Sequence, residues 1–220
     1  MTYSFPKYDF PCKLFDFENK SEIEFENYRT LEKYIQKQLL SNDILQVKDG
    51  LSNVLFWGYY RIGYKETRLK KFRDNITPFQ LQAFKALLEN NMINPINIKK
   101  IGMPQFSGFS FISKILMFLN PLQYVVLDKK IMRLRDLKNL DNPLSNIPYK
   151  TSDSGIRISP VSQKYYLTWC ELCKFIATQM NDNMITVDIE RGFFKLVEEG
   201  RIEFGIQIIS SEMKKFHALT

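Results

Sequence analysis

The most informative segment lies in the middle of the chain, where residues 102–128 read GMPQFSGFSFISKILMFLNPLQYVVLD. Proline, glycine and serine punctuate its first part and favour turns there. An apolar run follows Lys114 and ends at Asn120-Pro121, because proline cannot continue a helix. Asp128 comes after a short β-prone run and can cap a further helix. The pattern predicts a turn, a helix with a lysine in its first turns, and an aspartate where the next helix begins.

Helical signals recur on both sides of this stretch. Apolar residues at helical spacing predict helices over 26–40, 43–57, 77–90, 129–138, 162–180 and 186–200. Asp43 with Gln46, and Thr77 with Gln80, have the spacing of a capping box, and Thr186 is expected to cap the last long helix. Residues 124–127 have strand character instead. Together, these signals predict an all-α chain of roughly seven or eight helices.

The domain organisation follows from this pattern. Residues 1–24 are predicted to be an N-terminal arm that packs its aromatic side chains on the domain, 25–205 one helical domain, and 206–220 a C-terminal tail. Residues 139–160 form a long loop, and loops of this length are commonly functional or disordered. A chain of 220 residues fits one such domain.

Composition restricts the class of partner. Lys and Arg outnumber Asp and Glu by 31 to 24, with a pI near 9.2, which favours a polyanionic partner without proving one. The N-terminal residues have no apolar core of a secretion signal, and no later run approaches 18 apolar residues, so neither secretion nor a membrane partner is expected. Three cysteines, Cys12, Cys170 and Cys173, are an odd number and argue against a disulfide framework, which predicts a reducing, cytoplasmic location.

Several kinds of site are disfavoured. The lone Cys170/Cys173 pair lacks the further ligands of a zinc or iron–sulfur site and indicates core packing. The single histidine, His217, lies near the end of the chain, which argues against a Ser-His-Asp arrangement. No phosphate loop or dinucleotide fingerprint occurs. We therefore expect no metal, no cofactor and no nucleotide cofactor.

Lys114 and Asp128 are the residues with the clearest chemical potential. In an aromatic, partly desolvated site the neutral amine of a lysine is a nucleophile, and a nearby carboxylate can take its proton. This pairing suits attack on C1′ of a nucleoside. The structural alternatives are a snorkelling Lys114 and an Asp128 that serves only as an N-cap.

Four segments of the chain resemble the helix-hairpin-helix DNA glycosylase superfamily, in particular its bacterial 8-oxoguanine DNA glycosylase-like branch. They are FSGFSFISKILMFLNP at 106–121, YVVLD at 124–128, LFWGYYRIGY at 55–64 and DIERGFF at 188–194. Together they span most of residues 26–200. The resemblance implies an α-helical fold, duplex DNA as partner, a flipped damaged base, Lys114 as Schiff-base nucleophile and Asp128 as the essential acid.

The remaining site residues follow from that interpretation. The base pocket is expected to contain Trp57, Tyr60 and Phe109. DNA contacts are expected from Arg61, Arg68, Ser107, Gly108, Ser110 and Ser113, since a basic stretch interleaved with tyrosines can grip phosphates and stack bases.

The sequence departs from the superfamily in two places. Members have a Leu-Pro-Gly-Val-Gly hairpin before the lysine, whereas here Gly108 stands alone, and the interval from Lys114 to Asp128 is shorter. A second hypothesis therefore stays open: a catalytically silent helical module that binds nucleic acid or protein. The oligomeric state is not indicated by the sequence.

Overall fold

A computed structural model describes residues 5–152, 155–180 and 183–219. The described chain contains nine α-helices, two short 3₁₀ turns and one two-stranded hairpin, so the all-α class is confirmed. The chain divides into two compact units. Unit I is Phe10–Asn120, and unit II comprises the described residues of 1–9 and 121–220. The expected single domain over 25–205 thus has an internal boundary at Asn120, where the predicted proline-terminated helix ends.

Unit I is built around one buried helix. Its elements are β1 Lys13–Asp16, β2 Ser21–Glu24, α1 Tyr28–Leu39, α2 Ile44–Gly58, α3 Lys65–Asn75, α4 Pro78–Glu89, α5 Pro95–Ile101 and α6 Phe109–Leu119. Helix α2 packs against β1 and against α1, α3, α4 and α6. Residues 51–57 of α2 are all buried, as expected for a helix enclosed by neighbours on every side.

The first residues of α2 and α4 show whether the predicted capping boxes form. The Thr77 and Gln80 box is confirmed, with reciprocal bonds of 3.2 Å and 3.1 Å between side chain and backbone. Asp43 caps α2 by accepting from Leu45 N at 2.9 Å, but the expected box with Gln46 is wrong. The reason is local, because Ser41 Oγ already accepts the Asp43 N–H at 3.1 Å.

The hairpin lies where the sequence suggested only an arm. Strands β1 and β2 pair antiparallel, with Leu14 opposite Ile23. The Asp16 carboxylate closes the turn by accepting from the backbone N–H groups of Glu18 and Asn19. Asn53 Oδ1, on α2, accepts from Phe15 N at 3.0 Å. This buried helix therefore supplies the partner that the short strand pair needs for stability.

Unit II is a second, mainly helical unit. It contains α7 Pro160–Gln179, α8 Thr186–Glu198 and α9 Ile202–Leu219, with 3₁₀ turns at Ile131–Leu134 and Pro143–Asn146. The expected arm packing occurs here, because the Phe5 ring lies edge-on to Phe193 with centroids 5.1 Å apart. Trp169 packs on the same ring at 5.3 Å.

Two predictions for the start of unit II are wrong. Residues 124–127 form no strand within the described chain; Tyr166 of α7 instead donates to Val125 O at 2.9 Å, a bond that a neighbouring strand would otherwise supply. The helix expected over 129–138 is reduced to the 3₁₀ turn. Asn142 donates to Leu134 O at 2.8 Å, so a side chain replaces the next helical bond.

Two further predictions for unit II are also wrong. Thr186 does not cap α8, because its hydroxyl donates to Leu122 O at 2.5 Å, and the Asp188 carboxylate accepts the Ile185 N–H instead. Helix α8 is not the last, since α9 runs through most of the expected tail 206–220. Apolar side chains at helical spacing, including Ile208, Ile209 and Met213, are buried and hold α9 in place.

The buried thiols of α7 give a prediction about alkaline stability. Burial raises the pKa of Cys170 to about 12 and raises the pKa of Cys173 as well. An unfolded thiol ionises near pH ~8.5, so between that pH and about 12 the folded state retains protons that the unfolded state releases. The stabilising contribution is therefore complete below pH ~8.5 and is lost as the pH rises, by about 1.4 kcal/mol per pH unit per thiol.

Urea unfolding between pH 7 and 10 tests this, with wild type compared to the Cys170→Ala/Cys173→Ala variant. The difference in unfolding free energy between the two proteins should shrink as the pH rises above ~8.5. Titrations of groups away from the two thiols are common to both proteins and cancel in the difference. Tyr166, which interacts with Cys170, has its pKa raised chiefly by burial and keeps its proton in the folded state below pH ~10. A constant difference over the whole range would contradict the buried-thiol explanation.

Candidate functional site

Helices α5 and α6 are joined by an ordered turn at residues 102–108. Helix α5 ends at Ile101 and is capped by Gly102, whose φ of 71° is left-handed, a conformation that glycine adopts without strain. Within the turn, Phe106 N donates to Met103 O at 3.2 Å, and both side chains are buried. The turn is thus held in one conformation by its own core contacts, and Gly108 then begins α6.

Gln105 provides a second left-handed residue in this turn, with φ of 69°. A non-glycine residue in this region costs roughly 1–2 kcal/mol, which the surrounding contacts must offset. Its side-chain oxygen accepts from Arg68 NH1 at 3.2 Å. The turn that lacks a second glycine therefore still has a left-handed backbone, and it is linked to the basic helix α3.

Lys114 lies one helical turn after Ser110 on α6. Its side chain is only 6% exposed, and Nζ donates to Ser110 O at 3.0 Å and approaches Ser110 Oγ at 3.2 Å. Nζ also lies 5.1 Å from the centroid of the Phe111 ring. The amine is therefore held in a defined place, largely out of water and against an aromatic face.

Gly58, the last residue of α2, makes room for this arrangement. A Cβ atom there would lie 2.5 Å from Phe111 Cε1 and 3.2 Å from Lys114 Cδ. Real Cβ atoms do not approach ring carbons so closely, so any side chain would displace the Phe111 ring. The close approach of α2 and α6 thus positions the lysine.

Tyr59 extends the aromatic surface beside the lysine. Its ring stacks on Phe111 with centroids 4.4 Å apart and planes 32° apart, and the Arg68 guanidinium lies 6.0 Å from the Tyr59 centroid. Partial burial raises the pKa of Tyr59, which keeps its hydroxyl protonated. A continuous row of side chains therefore leads from Arg68 through two rings to Lys114.

The residues predicted for a base pocket have other surroundings. Phe109 is wholly buried. Trp57 is buried between Phe10 and Phe118, at 4.8 Å and 5.2 Å between centroids, and its Nε1 has no hydrogen-bond partner in the part of the chain that is described. Tyr60 turns toward the hairpin, where its hydroxyl donates to Glu22 Oε2 at 3.0 Å.

The rings beside the amine, Tyr59 and Phe111, were missed by sequence reasoning. A signal existed for Phe111, because it precedes Lys114 by three residues and so lies on the same face of the helix. No local signal existed for Tyr59, whose position depends on the packing of α2 against α6.

The predicted DNA-contacting residues are divided between surface and core. Arg61, Arg68 and Ser107 are exposed, Gly108 and Ser110 are half-buried, and Ser113 is wholly buried. The Ser113 hydroxyl donates to Ser110 O at 3.3 Å, within the helix. Of the three serines, Ser107 alone lies in the turn on the exposed surface.

Asp128 belongs to unit II and lies three residues before the 3₁₀ turn at Ile131–Leu134. Its Oδ1 accepts from Lys130 N at 2.9 Å and from Ile131 N at 3.1 Å. The expected capping role is therefore present, although the helix that follows is short. Both of these hydrogen bonds are accepted by Asp128 Oδ1, so Oδ2 takes no part in the cap.

Positive charge in unit I is concentrated in one part of the sequence. Residues 61–114 contain ten Lys and Arg against three acidic residues, whereas residues 10–60 contain six against eight. One of the three acids, Asp74, is paired with Lys70 at 2.6 Å. The elements α3 to α6, with their turns, therefore carry the basic character of the protein.

Comparisons with known proteins add no relative to this description: no protein-family model, no curated protein and no solved structure matches the chain. Among the described residues, no helix is long and apolar enough to cross a membrane. The same residues contain no group of three or more His, Cys, Asp or Glu side chains placed to hold a metal ion.

Proposed function

We propose that the protein is a DNA glycosylase with lyase activity, in which Lys114 is the nucleophile. The observation that carries the proposal is the amine of Lys114, which is nearly buried, held by Ser110 and set against Phe111. A lysine fixed in a desolvated aromatic site is suited to covalent chemistry. It lies in the second turn of α6, the helix that begins after a turn joined to the basic helix α3, where a polyanionic substrate would bind.

The reaction balances with this residue alone as nucleophile. The neutral amine attacks C1′ of the damaged nucleotide, the N-glycosidic bond breaks, and its electrons and a proton leave with the base. The sugar ring then opens: the C1′–O4′ bond breaks and O4′ takes up the second amine proton, which gives a Schiff base between Nζ and C1′. By the resemblance, Asp128 is proposed to carry the first amine proton to the departing base or to stabilise the cationic sugar.

The charge distribution supports DNA as the partner. Lys and Arg at a protein surface neutralise phosphates and release counterions, which makes affinity depend on salt. The excess of basic residues in 61–114 includes Arg68, whose guanidinium is oriented by Gln105. A modified base such as 8-oxoguanine is the proposed substrate, extruded from the duplex at a cost of a few kcal/mol.

Borohydride trapping tests the proposal. Purified protein is mixed with labelled duplexes that carry 8-oxoguanine or an abasic site, and with an undamaged duplex as control. Reduction of a Schiff base gives a stable adduct, and peptide mapping of the adduct should identify Lys114. Base release is measured in parallel, because a purely hydrolytic enzyme would free the base without an adduct.

The second candidate is a catalytically silent module that binds nucleic acid or protein. This second candidate is favoured by the hydrogen bond from Lys114 Nζ to Ser110 O, one turn earlier in the same helix. A lysine that only stabilises its own helix would make the same bond. Binding of damaged and undamaged duplexes with equal affinity, with neither adduct nor base release, would select this candidate.

Salt dependence gives a prediction for Arg68. If about six phosphates are neutralised, log K should fall with log salt at a slope of about −5. Arg68→Gln should weaken binding similarly for all duplexes and reduce the slope by about 1. Lys164→Gln, at an exposed position in unit II, is the control. If the slope of log K against log salt were unchanged in Arg68→Gln, Arg68 would not be a phosphate-binding residue.

A further inference from the structure

The backbone turn that Asp128 caps is connected to helix α8 by a series of ion pairs within unit II. Lys130 donates its backbone N–H to Asp128 Oδ1 at 2.9 Å, and its side-chain Nζ binds Glu198 Oε1 at 2.6 Å. The other oxygen of that carboxylate, Oε2, lies 3.2 Å from Lys195 Nζ. Lys195 Nζ also lies 3.1 Å from Asp9 Oδ1, on the N-terminal arm. Lys130, Glu198, Lys195 and Asp9 thus form a brace between the turn, α8 and the arm.

The centre of the brace is largely removed from water. The side chains of Lys195 and Glu198 are 14% and 19% exposed, so solvent screens their attraction less than that of a fully exposed pair. Burial by itself would raise the pKa of Glu198, but the hydrogen bonds from Lys130 and Lys195 lower that pKa below its usual value. Glu198 is therefore ionised at neutral pH and binds both lysines.

Aromatic side chains hold the arm and the brace on α8. Lys130 Nζ lies 4.4 Å from the ring centroid of Phe194, and the Tyr8 ring packs edge-on to Phe194 with centroids 5.8 Å apart. Phe5 fits a notch at Gly192, where a Cβ would lie 2.4 Å from Phe5 Cγ. The arm is thus docked on α8 through rings as well as through charge, which gives the brace a fixed support.

The brace affects the direction of one oxygen of Asp128. The cap uses Oδ1 for the N–H groups of Lys130 and Ile131, so the direction of Oδ2 follows from the position of the turn. A proton carrier has to lie within hydrogen-bond reach of the reacting group, and a misplacement of about 1 Å can cost about 100-fold in rate. Because the turn at Ile131–Leu134 is a short 3₁₀ turn with few hydrogen bonds of its own, contacts from α8 are needed to hold it.

We propose that Glu198 and Lys130 are positioning residues, which act through the turn to direct Asp128 at the departing base. This inference rests on the proposed function, in particular on the role of Asp128. Release of a base requires a proton carrier, whereas Schiff-base formation at an existing abasic site has no base to protonate and depends on the amine of Lys114. Loss of the brace should therefore slow base release and leave trapping on an abasic duplex unchanged.

Glu198→Gln tests the brace, because glutamine keeps the size of the side chain and removes its charge. Single-turnover release of 8-oxoguanine should fall about tenfold or more, while borohydride trapping on the abasic duplex should stay within about threefold of wild type. Glu199→Gln, at the next and more exposed position, is the matched control and should behave as wild type in both assays. Lys130→Met, which keeps an apolar stem over Phe194 without the charge, should reproduce the defect of Glu198→Gln.

A double-variant cycle with Asp128→Asn separates positioning from a general structural defect. If Glu198 acts through Asp128, Glu198→Gln should slow base release when Asp128 is present and have little further effect in Asp128→Asn. A purely structural defect would instead reduce the rate by the same factor in both backgrounds.

Hydrogen exchange gives a readout that needs no activity. The amides of Lys130 and Ile131, which Asp128 caps, should exchange several-fold faster in Glu198→Gln, because the turn opens more often. The amide of Thr30, which donates to the side chain of Asn27 at 3.0 Å in unit I, is the internal control and should not change.

The outcomes distinguish failure of the brace from failure of the enzyme. Normal base release in Glu198→Gln, where Asp128→Asn is slow, would overturn the brace and leave the proposed function intact. Equal effects in the two backgrounds, or unchanged exchange of the capped amides, would also overturn it. Normal base release in Asp128→Asn would refute the positioning role while trapping at Lys114 still supported the lyase. Absence of both release and trapping in wild type would overturn the proposed function and the positioning role together.

Discussion

Lys114→Gln is expected to abolish the borohydride-trapped adduct on abasic duplex, with a loss of at least about 1,000-fold, since removal of a covalent nucleophile costs several orders of magnitude in rate. Glutamine retains much of the side-chain length but has no nucleophilic amine. Because Lys114 is nearly buried, duplex affinity should change by no more than about threefold, as phosphate contacts dominate that affinity. The measurements are trapping time courses and binding titrations on the same protein samples.

Lys100→Gln is the matched control for this experiment, because Lys100 is an exposed lysine at the end of α5 in the same unit. It should trap at the wild-type rate or be slowed only through weaker binding. Equal trapping by wild type and Lys114→Gln would mean that another amine reacts, and the proposed role of Lys114 would be wrong.

Gly58→Ala should damage both stability and chemistry, although glycine to alanine in a helix ordinarily stabilises by about 0.5–1 kcal/mol. The new Cβ would lie 2.5 Å from Phe111 Cε1 and 3.2 Å from Lys114 Cδ. Overpacking of this kind costs about 1–3 kcal/mol, which exceeds the helix gain. A shift of the amine by 1 Å can cost about 100-fold in rate, so trapping should fall even where the protein remains folded.

Urea unfolding and trapping of the same variant separate the two effects. Gly155→Ala is the control, because a Cβ at Gly155 meets no atom within 4 Å. A Gly58→Ala protein that is more stable than wild type and traps at the normal rate would show that the contact between α2 and α6 does not position Lys114.

Local sequence signals predicted those features of the helices that depend on residues within a few positions of each other. The capping box of Thr77 and Gln80 begins α4 as expected, and the helix predicted over 26–40 is observed at Tyr28–Leu39. The buried face predicted for α7, including Trp169 and Cys173, is buried. Each of these features follows from helical periodicity or from a bond that spans three residues.

Features that depend on distant residues were not predictable in this way. The β-hairpin rests on Asn53, which binds Phe15 across 38 positions of the chain. The base pocket predicted from Trp57, Tyr60 and Phe109 does not include Phe111 and Tyr59, whose rings meet where α2 packs on α6. Phe111 lies three residues before Lys114 and so shares its helix face, but no local pattern places Tyr59 beside them.

From the amino-acid sequence alone we could predict that the chain is helical and basic, that Lys114 follows a turn and that Asp128 begins one. These properties depend on composition and on spacing within a few residues. Packing between elements was needed to learn that the Lys114 amine lies buried against Phe111 and that Gln105 adds a second left-handed residue to the turn after Gly102. Burial and ring contacts are properties of packing between elements, and helical periodicity carries no information about which ring of a neighbouring helix will be met.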